Sequence, residues 1–100
     1  NDSNNSKSHM KWNGSSWTTN VSTIPASFLH ARAVVYNDEI WIMGAMGATS
    51  YNGVYSYNGS KWTTRTTLPT FFCDGAAVVY NNEIHILGGD AISQNDVYMT

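Results

Sequence analysis

The sequence predicts an all-β fold built from two copies of one unit. The segment AVVYNDEIWIMGA, beginning at Ala33, recurs at Ala77 as AVVYNNEIHILGG, so the unit repeats every 44 residues. Both copies are runs of β-branched and aromatic residues interrupted by Asn-Asp or Asn-Asn, the residue types of a two-residue hairpin turn. No segment shows the apolar period of an amphipathic helix.

The first two strands of each unit are predicted to form its interior. In the first unit they are ARAVVYN (31–37) and EIWIMGA (39–45), and neither alternates cleanly between apolar and polar residues. A strand with one wet face alternates, whereas a strand covered on both faces reads as a nearly continuous apolar run. We therefore expect both strands to be buried on both faces.

The next two strands are predicted to lie nearer to solvent. GVYSYN (53–58) and KWTTRTT (61–67) alternate between apolar and polar residues, and the segment NGS between them is a turn sequence. Each unit is thus predicted to be a four-stranded antiparallel meander, dry at its inner strands and wetter at its outer edge. This is the arrangement of a β-propeller blade, whose two faces are covered by neighbouring blades.

The repeat pattern divides the chain into four segments. Residues 1–10, rich in Asn and Ser and ending in SHM, are predicted to be a flexible arm or the remnant of a tag. Residues 11–22 are predicted to be an outer strand that completes a neighbouring blade. Residues 23–67 form the first repeat and residues 68–100 the second, which lacks its fourth strand.

The missing fourth strand is found at the other end of the chain. WNGSSWTT, beginning at Trp12, matches YNGSKWTT, beginning at Tyr57. Two blades cannot close a ring, and an isolated pair leaves apolar faces and a sheet edge in water. We expect copies to exchange this strand through Trp12, Trp17 and Tyr98. A homotrimer closing a six-bladed ring is the favoured assembly, and a homotetramer with eight blades is the second choice.

These residues resemble the kelch repeat over most of the chain. GAAVVYNNEIHILGG (75–89) is similar to the kelch core with its paired glycines, and NDVY, YNGSKW and LP follow in the order of the family. Two positions depart from the family: Ala45 replaces the second glycine of the first repeat, and Cys73 and Leu29 stand where arginine is frequent. The resemblance implies a kelch-like β-propeller that serves as an interaction platform.

Composition excludes several classes of partner. Five Lys and Arg stand against seven Asp and Glu, a formal net charge of -2, with no basic cluster that would neutralise a phosphate backbone. We therefore expect no nucleic-acid partner. No apolar run approaches the length of a membrane span, so no membrane partner is expected either. Cys73 is the only cysteine, which leaves the compartment undetermined.

The sequence offers little with which to build a catalytic site. The histidines lack metal-ligand spacing, and Glu39 and Glu83 are copies of one hairpin position rather than a pair. His30 and Cys73 occupy similar loops of adjacent repeats, but such loops lie about 10 Å or more apart in a ring of stacked sheets. We predict no catalytic residue, no cofactor and no metal.

Ligand binding is instead predicted at the loops of one end of the propeller, which are unusually aromatic. The candidate ligand-facing residues are Phe28, Leu29, His30, Arg32, Met46, Tyr51, Phe71, Phe72, Cys73, Asp74 and Gln94. Exposed aromatic residues of this kind anchor protein partners or stack on sugars. The alternative is that Phe28 and Phe72 are buried as plugs beneath the ring.

The leading functional hypothesis is a non-catalytic binding and scaffold module that assembles with itself and presents aromatic loops to a protein or a glycan. Two alternatives remain. One is an engineered or excised repeat pair whose only activity is assembly. The other is part of a carbohydrate-active enzyme, a role that the kelch resemblance also implies.

Overall fold

The computed structural model of the chain describes residues 8–26, 31–44, 52–70, 72 and 75–88. Within these residues it contains eight β-strands and no helix, so the predicted all-β class is confirmed. The strands are β1 (Lys11–Trp12), β2 (Trp17–Thr18), β3 (Arg32–Tyr36), β4 (Glu39–Met43), β5 (Val54–Tyr57), β6 (Trp62–Thr64), β7 (Ala76–Tyr80) and β8 (Glu83–Leu87).

The strands form three antiparallel sheets. The first repeat is a four-stranded meander in the order β3-β4-β5-β6, as its sequence predicts. The second repeat contributes the two-stranded sheet β7-β8, and β1-β2 is a separate two-stranded sheet before the first repeat. The third strand predicted for the second repeat, in the segment NDVYMT (95–100), lies outside the described residues.

The two long hairpins are copies of each other in register as well as in sequence. Val34 pairs with Trp41 in the first repeat, and the equivalent Val78 pairs with His85 in the second. Their two-residue turns all have positive φ, 56° and 63° at Asn37 and Asp38 and 54° and 64° at the equivalent asparagines. Asn and Asp tolerate this left-handed conformation, and its twist matches that of the flanking strands.

The segment 11–22, predicted as one outer strand, contains a hairpin that reproduces the one joining β5 and β6. Trp12 pairs with Trp17, just as Tyr57 pairs with Trp62. In both turns an asparagine Oδ1 accepts two backbone N–H groups at 2.8 and 3.0 Å, and the next residue is a glycine with φ of 103°. The two aromatic residues therefore lie on different strands.

The core lies at the centre of the four-stranded sheet rather than at its inner strand. The buried side chains include Met43 on β4 and Val54 and Ser56 on β5. Val35 on β3, in contrast, is 69% exposed. The expectation of dry inner strands and a wetter third strand is therefore wrong for the single chain, because each inner strand has one uncovered face.

Phe72 closes this core against the end of β4. Its side chain is only 4% exposed, and Gly44 lies directly beneath it. A Cβ added at Gly44 would come within 2.8 Å of the Phe72 carbonyl oxygen and 2.9 Å of its ring. Gly44 also has a φ of 78°, which a side chain would strain. A glycine is needed here for both reasons.

Gly44→Ala is expected to lower the free energy of unfolding by about 3 kcal/mol, since left-handed strain adds to overpacking against Phe72. Gly59→Ala is the matched control, because Gly59 also has positive φ but would place its Cβ in open space. It should cost only about 1 kcal/mol. Urea unfolding at one protein concentration measures both, and equal losses would contradict the close contact.

Candidate interaction surfaces

Each repeat projects side chains from two faces of its sheet. We call the face that carries Trp41 the front face and the face that carries Ile40 the back face. The equivalent residues of the second repeat are His85 and Ile84, 44 positions later. Residues paired across an antiparallel sheet share a face, and neighbours along a strand alternate, so the registers assign every strand residue to one of the two.

The two repeats bury opposite faces. In β3 the back-face residues Ala33 and Val35 are exposed, whereas the front-face residues are half-buried. In β7 the pattern is reversed, because the front-face residues Val78 and Tyr80 are exposed and Val79 on the back face is half-buried. The same sequence motif therefore has opposite exposure in its two copies, and the neighbour on each face, not the motif, decides which side chains are covered.

The covered faces are those that meet inside the chain. A groove of about 190 Å³ lies between them, lined by Trp41, Met43 and Val54 from the front of the first repeat and by Ile84 and Ile86 from the back of the second. Apolar side chains thus pack front to back across this contact. On the other back face the inner strands β3 and β4, and on the other front face the strands β7 and β8, have no equivalent cover among the described residues.

Arg32 fastens this contact from the first repeat. Its Nε donates to the carbonyl oxygen of Gly75 at 2.7 Å, and its Nη1 donates to the carbonyl oxygen of Ala31 at 3.0 Å. The equivalent residue of the second repeat is Ala76, which has no such donor. Arg32, predicted as a ligand-facing residue, is thus engaged in holding the two repeats together.

The β1-β2 hairpin projects from the protein. Every residue from Lys11 to Asn20 is exposed, with Trp12 at 53% and Trp17 at 64%, and the two indole rings lie 5.5 Å apart. The equivalent pair, Tyr57 and Trp62, has the same tilted arrangement at 4.9 Å but is half-buried. The aromatic pair is therefore present twice and covered once.

Residues flanking the projecting hairpin cover the second pair. The His9 ring meets the Tyr57 ring edge-on at 5.0 Å, and the Val21 amide donates to the His9 carbonyl oxygen at 2.9 Å. The Trp62 indole N–H donates to Ser22 Oγ at 2.8 Å. The hairpin base is therefore fixed on the back face of the first repeat.

A polar cluster that the sequence did not single out lies on the front of the first repeat. Arg65 donates through Nε to the buried hydroxyl of Ser56 at 2.8 Å and through Nη2 to Glu39 at 3.2 Å. Its guanidinium also lies 4.8 Å from the centre of the Trp41 ring. A buried hydroxyl requires a partner, so this cluster stabilises the sheet. A single arginine on an outer strand gives no sequence signal of such a role.

The equivalent residues of the second repeat, Glu83 and His85, form fewer polar contacts. His85 Nε2 lies 3.7 Å from Glu83 Oε1, beyond hydrogen-bonding distance, and this nitrogen is buried without a hydrogen-bond partner among the described residues. The Tyr80 ring lies beside it at 6.0 Å. The front of the second repeat thus combines exposed apolar side chains with an unsatisfied polar atom.

The structure places four of the residues predicted for a site. Phe72 is buried as a plug, Arg32 binds the neighbouring repeat, and Trp12 and Trp17 are exposed. The remaining predicted residues lie outside the described residues: Phe28, Leu29, His30, Met46, Tyr51, Phe71, Cys73, Asp74, Gln94 and Tyr98. Whether the aromatic loops bind a ligand stays a prediction.

The part of the chain that the structure describes contains no group of three metal-ligating side chains, and no helix in it is long and apolar enough to cross a membrane. Neither the protein-family models nor the curated proteins gave a match to this chain.

Removing the Arg32 guanidinium is expected to weaken the contact between the repeats. Arg32→Ala, which copies the residue of the second repeat, should lower the free energy of unfolding by about 1 to 2 kcal/mol, because charged hydrogen bonds are stronger than neutral ones. Arg32→Met keeps the aliphatic stem and serves as the control for packing. If Arg32→Met unfolds at the wild-type urea midpoint, the two hydrogen bonds contribute nothing.

The two equivalent tryptophans are expected to differ in their effect on a single chain. Trp62→Ala should cost about 3 kcal/mol, because it empties a packed site, although Ser22 Oγ keeps its 2.7 Å hydrogen bond to His9 Nδ1. Trp17→Ala should stay within about 0.5 kcal/mol, because its side chain contacts solvent. Chemical unfolding at sub-micromolar concentration tests both variants. Similar losses would show that the β1-β2 hairpin is packed like its copy.

Proposed function

We propose that this protein is a non-catalytic, self-assembling scaffold whose copies stack front to back into a kelch-like β-propeller. The opposite exposure of the two repeats carries this proposal. The chain joins the front of one repeat to the back of the other and leaves one face of each kind in water. A second copy supplies both missing covers with surfaces that the chain already uses.

The identity of the back-face residues in the two long hairpins supports this pairing. Ala33, Val35, Ile40 and Ile42 recur as the same residue types 44 positions later. The back face of the first repeat therefore presents to solvent the surface that packs, in the second repeat, against a front face. The two front faces share Val34 and Val78, Tyr36 and Tyr80, and Glu39 and Glu83, so the same back face can pack against either.

The front face of the second repeat is also apolar and exposed, as a surface that packs against a back face should be. Tyr80 is 71% exposed and Leu87 53% exposed, and Val78 lies between them across the hairpin. Exposed side chains of this size, grouped on one sheet face, are typical of interaction sites. Val35 and Ile40 supply the apolar counterpart on the back of the first repeat.

A front-to-back contact is heterologous, so it repeats until a ring closes or a filament forms. Stacked four-stranded sheets related by such a rotation form propellers of four to eight blades. With two repeats in each chain, a homotrimer gives six blades and a homotetramer gives eight. We favour the trimer, with residues 11–22 of each copy completing the second repeat of the next. We further propose that the aromatic loops of this assembly bind a protein or a glycan.

Light scattering at micromolar concentration tests the assembly. The expected mass is three times the chain mass of 11.0 kDa, with four times as the second choice. Leu87→Glu and Val35→Glu each place a carboxylate on one of the uncovered faces and should reduce the mass to that of the single chain, since burying an unpaired charge costs several kcal/mol.

Ser60→Glu adds the same charge at an exposed turn outside both faces and is the matched control. It should keep the oligomer. A folded wild-type chain that stays monomeric at micromolar concentration would overturn the proposal. So would oligomers that persist in both face variants.

A further inference from the structure

Trp62 shows how this chain covers the second strand of an aromatic hairpin. Its indole N–H donates to Ser22 Oγ, which lies two residues before the pair Ile24-Pro25. Ile24 itself is buried. This covering segment immediately precedes the first repeat. Its hydroxyl group and the apolar residue two positions later together form a binding position for a tryptophan side chain.

The same covering segment recurs before the second repeat. Thr66 lies two residues before Leu68-Pro69, so it is equivalent to Ser22 and retains the hydroxyl group. Leu68, equivalent to the buried Ile24, is only half-buried. A second binding position for a tryptophan is therefore present. It has a hydroxyl acceptor and an apolar residue that is still partly exposed to water.

This second tryptophan-binding position opens into the groove between the repeats. Thr66 and Leu68 line the groove together with Trp41, Val54, Ile84 and Ile86. Thr66 supplies a hydroxyl in an otherwise apolar lining, which suits an occupant that is largely apolar and carries one N–H donor. An indole has this combination of properties.

Trp17 is the equivalent tryptophan that is exposed to solvent and has no such binding position in its own chain. It holds the same register position in β1-β2 as Trp62 holds in β5-β6. Within its own chain it cannot reach Thr66, because the flanks of its hairpin are fixed on the back of the four-stranded sheet, whereas the groove lies on the front. The occupant must come from another copy.

We propose that Trp17 of one copy binds in the groove of a second copy and donates its indole N–H to the Thr66 hydroxyl. This inference rests on the proposed self-assembly and names the residues that lock it. The hairpin is then the element that each chain lends to the next, and the exposed tryptophan is buried only in the assembly.

A double-mutant cycle on assembly tests this contact. Trp17→Phe removes the N–H donor, and Thr66→Val removes the hydroxyl while preserving the shape of the side chain. Each should weaken assembly several-fold in concentration titrations followed by light scattering, because the remaining partner is left unsatisfied. Together they should cost less than the sum of the two, since both remove one hydrogen bond.

Thr67→Val, at the adjacent exposed position, is the matched control and should assemble as the wild type does. Circular dichroism confirms that each variant is folded. If oligomers form but Thr66→Val and Thr67→Val assemble equally well, the contact proposed here is wrong and self-assembly stands. If the wild-type chain is monomeric, both proposals fail.

Crosslinking gives a second readout that does not depend on stability. In a Cys73→Ser background, a mixture of Trp17→Cys and Thr66→Cys chains should be joined by a short bis-maleimide, because the two positions face each other across the interface. Trp12→Cys, from the first strand of the hairpin, replaces Trp17→Cys in the control mixture and should be joined less efficiently. Equal yields in an oligomeric sample would overturn the assignment of Trp17.

Discussion

Each repeat of this chain carries apolar side chains on both faces of its sheet, and two repeats can cover only one face each. This constraint determines the distribution of exposed residues. The internal contact buries the front of the first repeat and the back of the second, and Arg32 fastens it through the Gly75 carbonyl oxygen. Val35 on one side and Tyr80 on the other are left in water as a consequence. The hydrophobic effect favours covering both, and in the proposed assembly a second copy would do so.

The two-residue turns fix the register of the strands, and the register determines which side chains lie on each face. A slip of one residue in the pairing of β3 with β4 would move every side chain to the opposite face. Two consecutive residues with positive φ, Asn37 and Asp38, fix the hairpin at a two-residue loop, and the same turn recurs in the second repeat. Equivalent positions therefore lie on the same face in both repeats, and one repeat can pack against the next.

Much of the fold could be predicted from the sequence, because the period of 44 and the turn dipeptides are local signals. The four-stranded meander and both long hairpins follow from them. The hairpin at β1-β2 is also encoded, since NGSSWTT copies NGSKWTT, although the repeat pattern alone predicts a single outer strand for residues 11–22. Burial could not be predicted in the same way. Identical motifs have opposite exposure here, and exposure depends on the neighbour that each face meets.

The site residues show the same limit. Phe72 could be an exposed anchor or a plug on sequence grounds, and only its position over Gly44 decides for the plug. Arg65 gives no sequence signal, because its role depends on Ser56 across the adjacent hairpin and on Glu39, which is 26 residues away in sequence and close in the sheet. Long-range polar contacts of this kind are set by tertiary structure rather than by pattern.

The differences between the repeats indicate how the two kinds of front-to-back contact would differ. The back-face residues of the two long hairpins are identical, but on the front Arg32, Trp41 and Met43 are replaced by Ala76, His85 and Leu87 in the second repeat. The contact inside the chain thus has the guanidinium clamp and the larger aromatic side chain, and the proposed contact between copies would lack both. Less apolar area and one fewer charged hydrogen bond would make the proposed contact the weaker one. In the proposed ring, the repeats within a chain would therefore stay together when the ring opens, and the folded chain, not the single repeat, would be the unit that assembles.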